Sequence, residues 1–269
     1  MKALLGDYPV TRQFKQESPL EFADVKLPNT AFKRVVRDLE FDVAELALMT
    51  FLLAKAHGKP YRLLPAVVTA RFQHAMLAYN PDRGPLSPDR LAGKKVGMRS
   101  YSVTTATWVR GILADDYGVD LGKVHWVTFE DPHVAEFRDP SNATRMPPGT
   151  DLTAMLLAGE LDAAVLAAEP PKDGPLRTLI PDPASAAAAW RAKHGAIQIN
   201  HMVTVKSTVS DSQAQDIYAG LERSRDAAGR PEMNPFGLEE NRRNLEVAID
   251  TTYRQRMIPR RFAVEELFR

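Results

Sequence analysis

The stretch PNTAFKRVVRDLEFDVAELA occupies residues 28–47, and PGTDLTAMLLAGELDAAVLA occupies residues 148–167. A displacement of 120 positions carries Pro28, Thr30, Glu40, Asp42, Ala44, Leu46 and Ala47 onto Pro148, Thr150, Glu160, Asp162, Ala164, Leu166 and Ala167. Phe32, Val35, Val36 and Phe41 fall on Leu152, Met155, Leu156 and Leu161, so apolar character persists where identity does not. In each copy, apolar residues at helical spacing give way to a short apolar run, which reads as a helix followed by a buried strand. A second echo lies upstream of each copy. Tyr8-Pro9-Val10-Thr11 follows one β-type run, and Tyr101-Ser102-Val103-Thr104 follows another near Lys95. The expectation is an α/β protein of two similar lobes, with mixed, mainly parallel sheets joined by two crossing strands.

Working outward, β-type runs cover residues 2–6, 42–48, 61–68, 74–79, 95–98, 124–128, 162–167, 177–180 and 197–205. Helical patterns cover 30–38, 49–56, 103–117, 152–158, 183–194, 211–228 and 239–256. In the 103–117 helix, Trp108, Ile112 and Leu113 recur on one face, Ser102 is placed to cap the first amides, and Gly118 stops the run. The turn-rich segment Asn80-Pro81-Asp82-Arg83-Gly84-Pro85 marks a break. The lobes are therefore expected at residues 1–80 with 201–269, and at 81–200. Ligands of open α/β sheets bind beyond the carboxyl ends of the strands, so a shared cleft between the lobes is the expected site.

Composition narrows the chemistry. Among 269 residues, 35 Lys and Arg oppose 34 Asp and Glu, a formal charge of +1 that supplies no long-range attraction to nucleic acid or anionic lipid. The absence of cysteine removes disulfides, thiolate nucleophiles and iron–sulfur ligation. No run approaches a membrane span, and Met1-Lys2-Ala3-Leu4-Leu5-Gly6-Asp7 is too short for a secretory core, so a cytoplasmic protein is expected. No Gly-x-Gly-x-x-Gly, Walker or His-x-x-x-His pattern occurs, and no cofactor or metal is expected. The expected partner is a small organic anion; oligomeric state is not encoded in any motif.

Candidate residues follow from that partner. Arg99, Tyr101, Ser102, Thr104 and Thr105 surround the start of the 103–117 helix, whose free amides and positive dipole end favour a carboxylate. Arg71 adds a bidentate cation, and Tyr8 and Thr11 occupy the matching turn of the first lobe. A second reading has Ser102 and Thr105 only capping the helix. For proton transfer, His74 and His201 stand on the two presumed crossing strands, whereas His57, His125, His133 and His194 are read as surface residues. Glu45, at the end of an apolar strand, is a candidate base. Trp108 and Phe72 either stack on an aromatic ring or serve the core. Asp42 and Asp162 recur in both copies, which suggests a shared structural role at the strand entrance.

Five stretches carry a family resemblance: Phe41-Asp42-Val43-Ala44-Glu45; Arg71-Phe72-Gln73-His74; Leu91-Ala92-Gly93-Lys94-Lys95-Val96-Gly97; Thr104-Thr105-Ala106-Thr107-Trp108-Val109-Arg110-Gly111-Ile112-Leu113; and Pro235-Phe236-Gly237-Leu238-Glu239-Glu240-Asn241-Arg242. In this order they resemble the 4,5-dihydroxyphthalate decarboxylase family, which is similar in fold to type 2 periplasmic binding proteins. The resemblance implies cofactor-independent loss of carbon dioxide from a hydroxylated aromatic dicarboxylate, giving protocatechuate, within phthalate degradation. The alternative is a solute-binding protein of the same fold that captures a small organic anion unchanged. Decarboxylation of this kind requires a grip on the retained carboxylate, an ionised ring hydroxyl and a proton donor to carbon.

Overall fold

A computed structural model describes all 269 residues. The chain divides into two units, Met1–Arg71 with Gly195–Arg269, and Phe72–His194. In the first unit, strand β1 (Lys2–Leu4), helix α1 (Pro9–Glu17), β2 (Glu21–Phe22), α2 (Phe32–Val36), β3 (Val43–Ala47), α3 (Leu48–Ala56) and β4 (Tyr61–Ala70) follow one another. The second unit contains β5 (Leu77–Tyr79), β6 (Lys95–Met98), α4 (Thr104–Tyr117), β7 (His125–Thr128), β8 (Ala143–Arg145), α5 (Leu152–Ala158), β9 (Ala163–Val165), β10 (Arg177–Thr178) and α6 (Pro183–His194). Strand β11 (Ile199–Lys206) and helices α7 (Asp211–Ala227) and α8 (Leu238–Arg254) complete the first unit.

The first unit holds a five-stranded sheet in the order β2-β1-β3-β11-β4. Strands β1, β2 and β3 are parallel, while β11 runs antiparallel to both β3 and β4. All five residues of β3 are buried, as expected for a central strand covered on both faces. Phe14 of α1 packs with Ala214, Ile217 and Leu221 of α7 and with Val43, Val203 and Val205 of the sheet. The second unit holds a six-stranded sheet, β10-β5-β9-β6-β7-β8, parallel from β9 to β8 and antiparallel at β5 and β10. Ala78, Val127, Leu156, Leu161, Ala164 and Leu176 form its own core cluster.

The internal repeat survives as registered pairing. In the first unit Ala3 pairs with Val43 and Leu4 with Ala44; in the second Val96 pairs with Ala163 and Gly97 with Ala164. Asp42 and Asp162 hold equivalent places. The Asp42 carboxylate accepts the Lys2 amide at 2.9 Å and that of Asp162 accepts the Lys95 amide at 2.8 Å, while each aspartate amide donates back to the same lysine carbonyl. Each therefore fastens the start of one parallel strand to the next, satisfying an edge amide that the ladder leaves open.

Several expectations are corrected. The units divide at Arg71/Phe72 and His194/Gly195 rather than after residues 80 and 200. The reason is that β11 pairs with β3 and β4 inside the first unit, from Ile199↔Ala70 to Lys206↔Tyr61 along β4, while β5 pairs with β9 and β10 inside the second, so neither of the two strands expected to cross does so. Residues 74–76 form a 3-10 turn, and the strand begins only at Leu77. Helix α4 starts at Thr104 with Val103 as its N-cap, so Ser102 is not the cap. Helix α1 is not among the expected helices, because its apolar face is confined to Val10 and Phe14 beside Thr11; Pro9 at its first position and the Thr11 hydroxyl, which accepts the Tyr8 amide, start it.

Candidate active site

In the first unit, a buried carboxylate collects three donors, two from the turn after β1 and one from β11. Glu45 lies at the centre of β3 and is 0% exposed. Its Oε2 accepts the Gly6 amide at 2.8 Å, and its Oε1 accepts the Tyr8 hydroxyl at 2.6 Å and His201 Nδ1 at 2.6 Å. Gly6 and Tyr8 come from the turn after β1, the strand parallel to β3. His201 pairs with Ala47 and Val203 with Glu45, so Glu45 and His201 are diagonal neighbours across the β3–β11 ladder. Gly6 is required by shape: a Cβ there would sit 2.5 Å from the Tyr8 ring.

Both carboxylate oxygens are engaged, and the bond to Nδ1 leaves a defined tautomer. With the Nδ1 proton of His201 on Glu45, Nε2 is the nitrogen free to exchange a proton, and it makes no hydrogen bond within the protein. The His201 side chain is 19% exposed, and Phe32 packs edge-on against its ring at 5.1 Å. The Tyr8 phenol is held well above its ordinary pKa, first by burial and then by the charge and hydrogen bond of Glu45, so it stays a donor. Glu45, expected as a base toward a ring hydroxyl, has no exposed surface, and both of its oxygens accept donors from the protein. Thr11 also differs from expectation: it is fully buried and closes the turn, accepting the Tyr8 amide at 2.9 Å and donating to the Gly6 carbonyl at 2.7 Å. Arg71, exposed, directly follows the end of β4, where Thr69 pairs with His201.

The second unit places its candidates differently. The Arg99 guanidinium lies 3.3 Å from His133 Nε2 and 3.8 Å from the Glu130 carboxylate, and the Arg99 carbonyl accepts the amides of Phe129 and Glu130. His133, expected at the surface, is buried, because the turn from Phe129 folds it against Arg99. Ser100 is buried with its hydroxyl unpartnered, Ser102 and Thr104 are buried, and Thr105 is half-buried. Tyr101 matches Tyr8 in the repeat, yet Val165 stands where Glu45 would be, and the Tyr101 ring instead receives the buried Arg110 guanidinium at 3.7 Å. Trp108 is a buried core residue, packed edge-on against Trp190 at 5.9 Å, and half-buried Phe72 meets Trp190 edge-on at 6.0 Å.

His74 also belongs to the second unit, in a turn packed against α4 and α6. Its ring is 1% exposed and neither nitrogen has a hydrogen-bond partner. Burial lowers its pKa from 6.5 to about 4, with Asp116 opposing the shift. Its expected role in proton exchange is corrected to that of a buried neutral imidazole. The unfolded chain binds a proton below pH 6.5 that the folded chain refuses until about pH 4, so stability falls as pH falls through that window. Between pH 6.5 and pH 5 the second unit loses about 2 kcal/mol from this group. All three tryptophans lie in this unit, so tryptophan fluorescence during urea unfolding at the two pH values reads the loss; His74→Leu removes it, and an unchanged slope in that variant refutes the assignment.

Gly6, Phe32 and His133 were missed as site residues. Gly6 had a local signal, a glycine after a β-type run and just before Asp-Tyr-Pro; for the other two no local pattern distinguishes them.

Comparison with solved structures defines the class first. The alkanesulfonate-binding protein of Xanthomonas axonopodis pv. citri bound to MOPS matches 99% of this chain and 96% of that one, at TM-score 0.59 and 14% identity. The periplasmic aliphatic sulphonate binding protein of Escherichia coli matches 100% and 96%, at TM-score 0.59 and 12% identity. The chain thus has the periplasmic-binding-protein fold. No family model matches it. The 4,5-dihydroxyphthalate decarboxylase of Comamonas testosteroni is 30% identical over 196 residues, which are 68% of this chain and 59% of that protein. That of Pseudomonas putida is 31% identical over 178 residues, 61% of this chain and 68% of that protein. The chain belongs to the 4,5-dihydroxyphthalate decarboxylase family, and its matched part spans about three fifths to two thirds of these relatives.

Proposed function

We propose that the protein decarboxylates 4,5-dihydroxyphthalate, or a close hydroxylated aromatic dicarboxylate, to protocatechuate or its analogue, with His201 as the proton donor. The reading is carried by one observation: a partly exposed imidazole whose Nδ1 is held by a buried carboxylate and whose Nε2 is free. Each carboxylate of this substrate is para to a ring hydroxyl. As the hydroxyl gives up its proton to water, charge enters the ring, and imidazolium Nε2–H protonates the carbon bearing the leaving carboxylate. The carbon–carboxylate bond then breaks to release carbon dioxide, the ring regains aromaticity, and the hydroxyl and His201 are reprotonated. The balance is one carbon dioxide released and one proton taken up per turnover. The carboxylate of Glu45 holds the imidazole orientation and stabilises its charged form in the transition state.

In the second unit, Arg99, buried Ser100 and the positive dipole end of α4 support an anionic ligand class. The test is to incubate the full chain with 4,5-dihydroxyphthalate while following carbon dioxide, proton uptake and protocatechuate. Stoichiometric appearance of all three is expected. Saturable thermal stabilisation by a compound recovered intact would replace the enzyme by a solute-binding protein.

A further inference from the structure

We propose that Tyr8 is a positioning residue that limits the strength of the His201–Glu45 hydrogen bond, and thereby sets the upper pH limit over which His201 remains a proton donor. This rests on the His201 role above. The phenol and the imidazole converge on the same atom, Oε1 of Glu45, both at 2.6 Å. Oε2 accepts the Gly6 amide, so the backbone holds one oxygen while the phenol and the imidazole share the other. Two donors on one oxygen divide its electron density, and the stronger the phenol's share, the weaker the bond to Nδ1.

The geometry is built for this sharing. Gly6 leaves room for the Tyr8 ring to lie across the turn, and Thr11 clamps both ends of that turn. Around the imidazole, the titratable neighbours are Glu45 from β3 and Tyr8 from the turn after β1. Phe32 from α2 and Thr69 from β4 are uncharged. The phenol keeps its proton through the whole working range, so its effect is constant rather than a second titration. The second unit provides the contrast: Tyr101 recurs at the equivalent turn, but with Val165 in place of a carboxylate it faces Arg110 and has no imidazole to influence.

Tyr8→Phe keeps the ring and removes the shared donor. The expected result is a downfield move of the His201 Nδ1–H proton resonance, assigned by its loss in His201→Gln. The alkaline limb of kcat/KM should move up by about half a pH unit, with KM for 4,5-dihydroxyphthalate unchanged. Incorporating 3-fluorotyrosine at position 8, a more acidic phenol of the same shape, should move the resonance in the opposite direction. In a Glu45→Gln background, Tyr8→Phe should no longer shift the limb. A resonance that moves in neither variant, or a rise in KM at an unchanged limb, overturns the proposal and makes Tyr8 a substrate ligand. The resonance is read without turnover, so a protein that fails to decarboxylate still answers this question.

Discussion

His201→Asn is expected to lower kcat/KM for 4,5-dihydroxyphthalate by about two to four orders of magnitude, the contribution typical of a positioned proton donor. The substitution is chosen because an asparagine amide can still donate to Glu45, so the buried carboxylate stays satisfied. What disappears is the second nitrogen, the one atom of the cluster that is both titratable and free of protein partners. The loss should fall on kcat, with KM little changed, since no substrate-binding cation is removed. It should be accompanied by a melting temperature close to that of the parent chain. Residual activity within tenfold of the parent would remove His201 from the reaction, whatever the fate of the substrate assignment.

The second large effect is on stability. Glu45→Ala strands three donors at once, namely the Gly6 amide, the Tyr8 hydroxyl and His201 Nδ1, in a place with no exposed surface on the acid they served. Each stranded buried donor costs about 1–3 kcal/mol, and partial relaxation of the exposed imidazole keeps the total below the sum, at about 4 kcal/mol. Glu45→Gln preserves volume and one acceptor but turns an amide nitrogen toward a donor, so about half that cost is expected. Tryptophan fluorescence is blind to this change, because Trp108, Trp126 and Trp190 all lie in the second unit. Hydrogen exchange at the amides of β3 and β11 is the suitable measurement. Unchanged protection there in Glu45→Ala would mean that the carboxylate is not the organising charge of the cluster.

The two histidines show how far sequence reading reaches. His74 and His201 both stand in apolar, β-type runs and are both candidates on that ground. The fold separates them by what lies opposite. His201 meets Glu45 across an antiparallel ladder at a sequence separation of 156 residues, while His74 packs among helices with neither nitrogen engaged. A buried imidazole without a partner is driven neutral; one facing a carboxylate keeps a fixed tautomer. Nothing in the flanking residues encodes that difference. The same limit explains Thr11 and Trp108, plausible ligands by position that prove to be a turn clamp and a core residue.

From the sequence alone came the twofold plan: the helix-then-strand unit repeated 120 residues apart, the α/β class, and the structural role of Asp42 and Asp162, whose carboxylates do fasten matching strands. These are legible because periodicity and strand-entry hydrogen bonds are local, set within a few residues of one another. Only the tertiary structure decided that β11 enters the first sheet antiparallel between β3 and β4, and that register alone brings His201 beside Glu45. The choice depends on cross-strand pairing over a long loop, where backbone hydrogen bonds and side-chain alternation act together. One residue of slip would turn the imidazole to the opposite face.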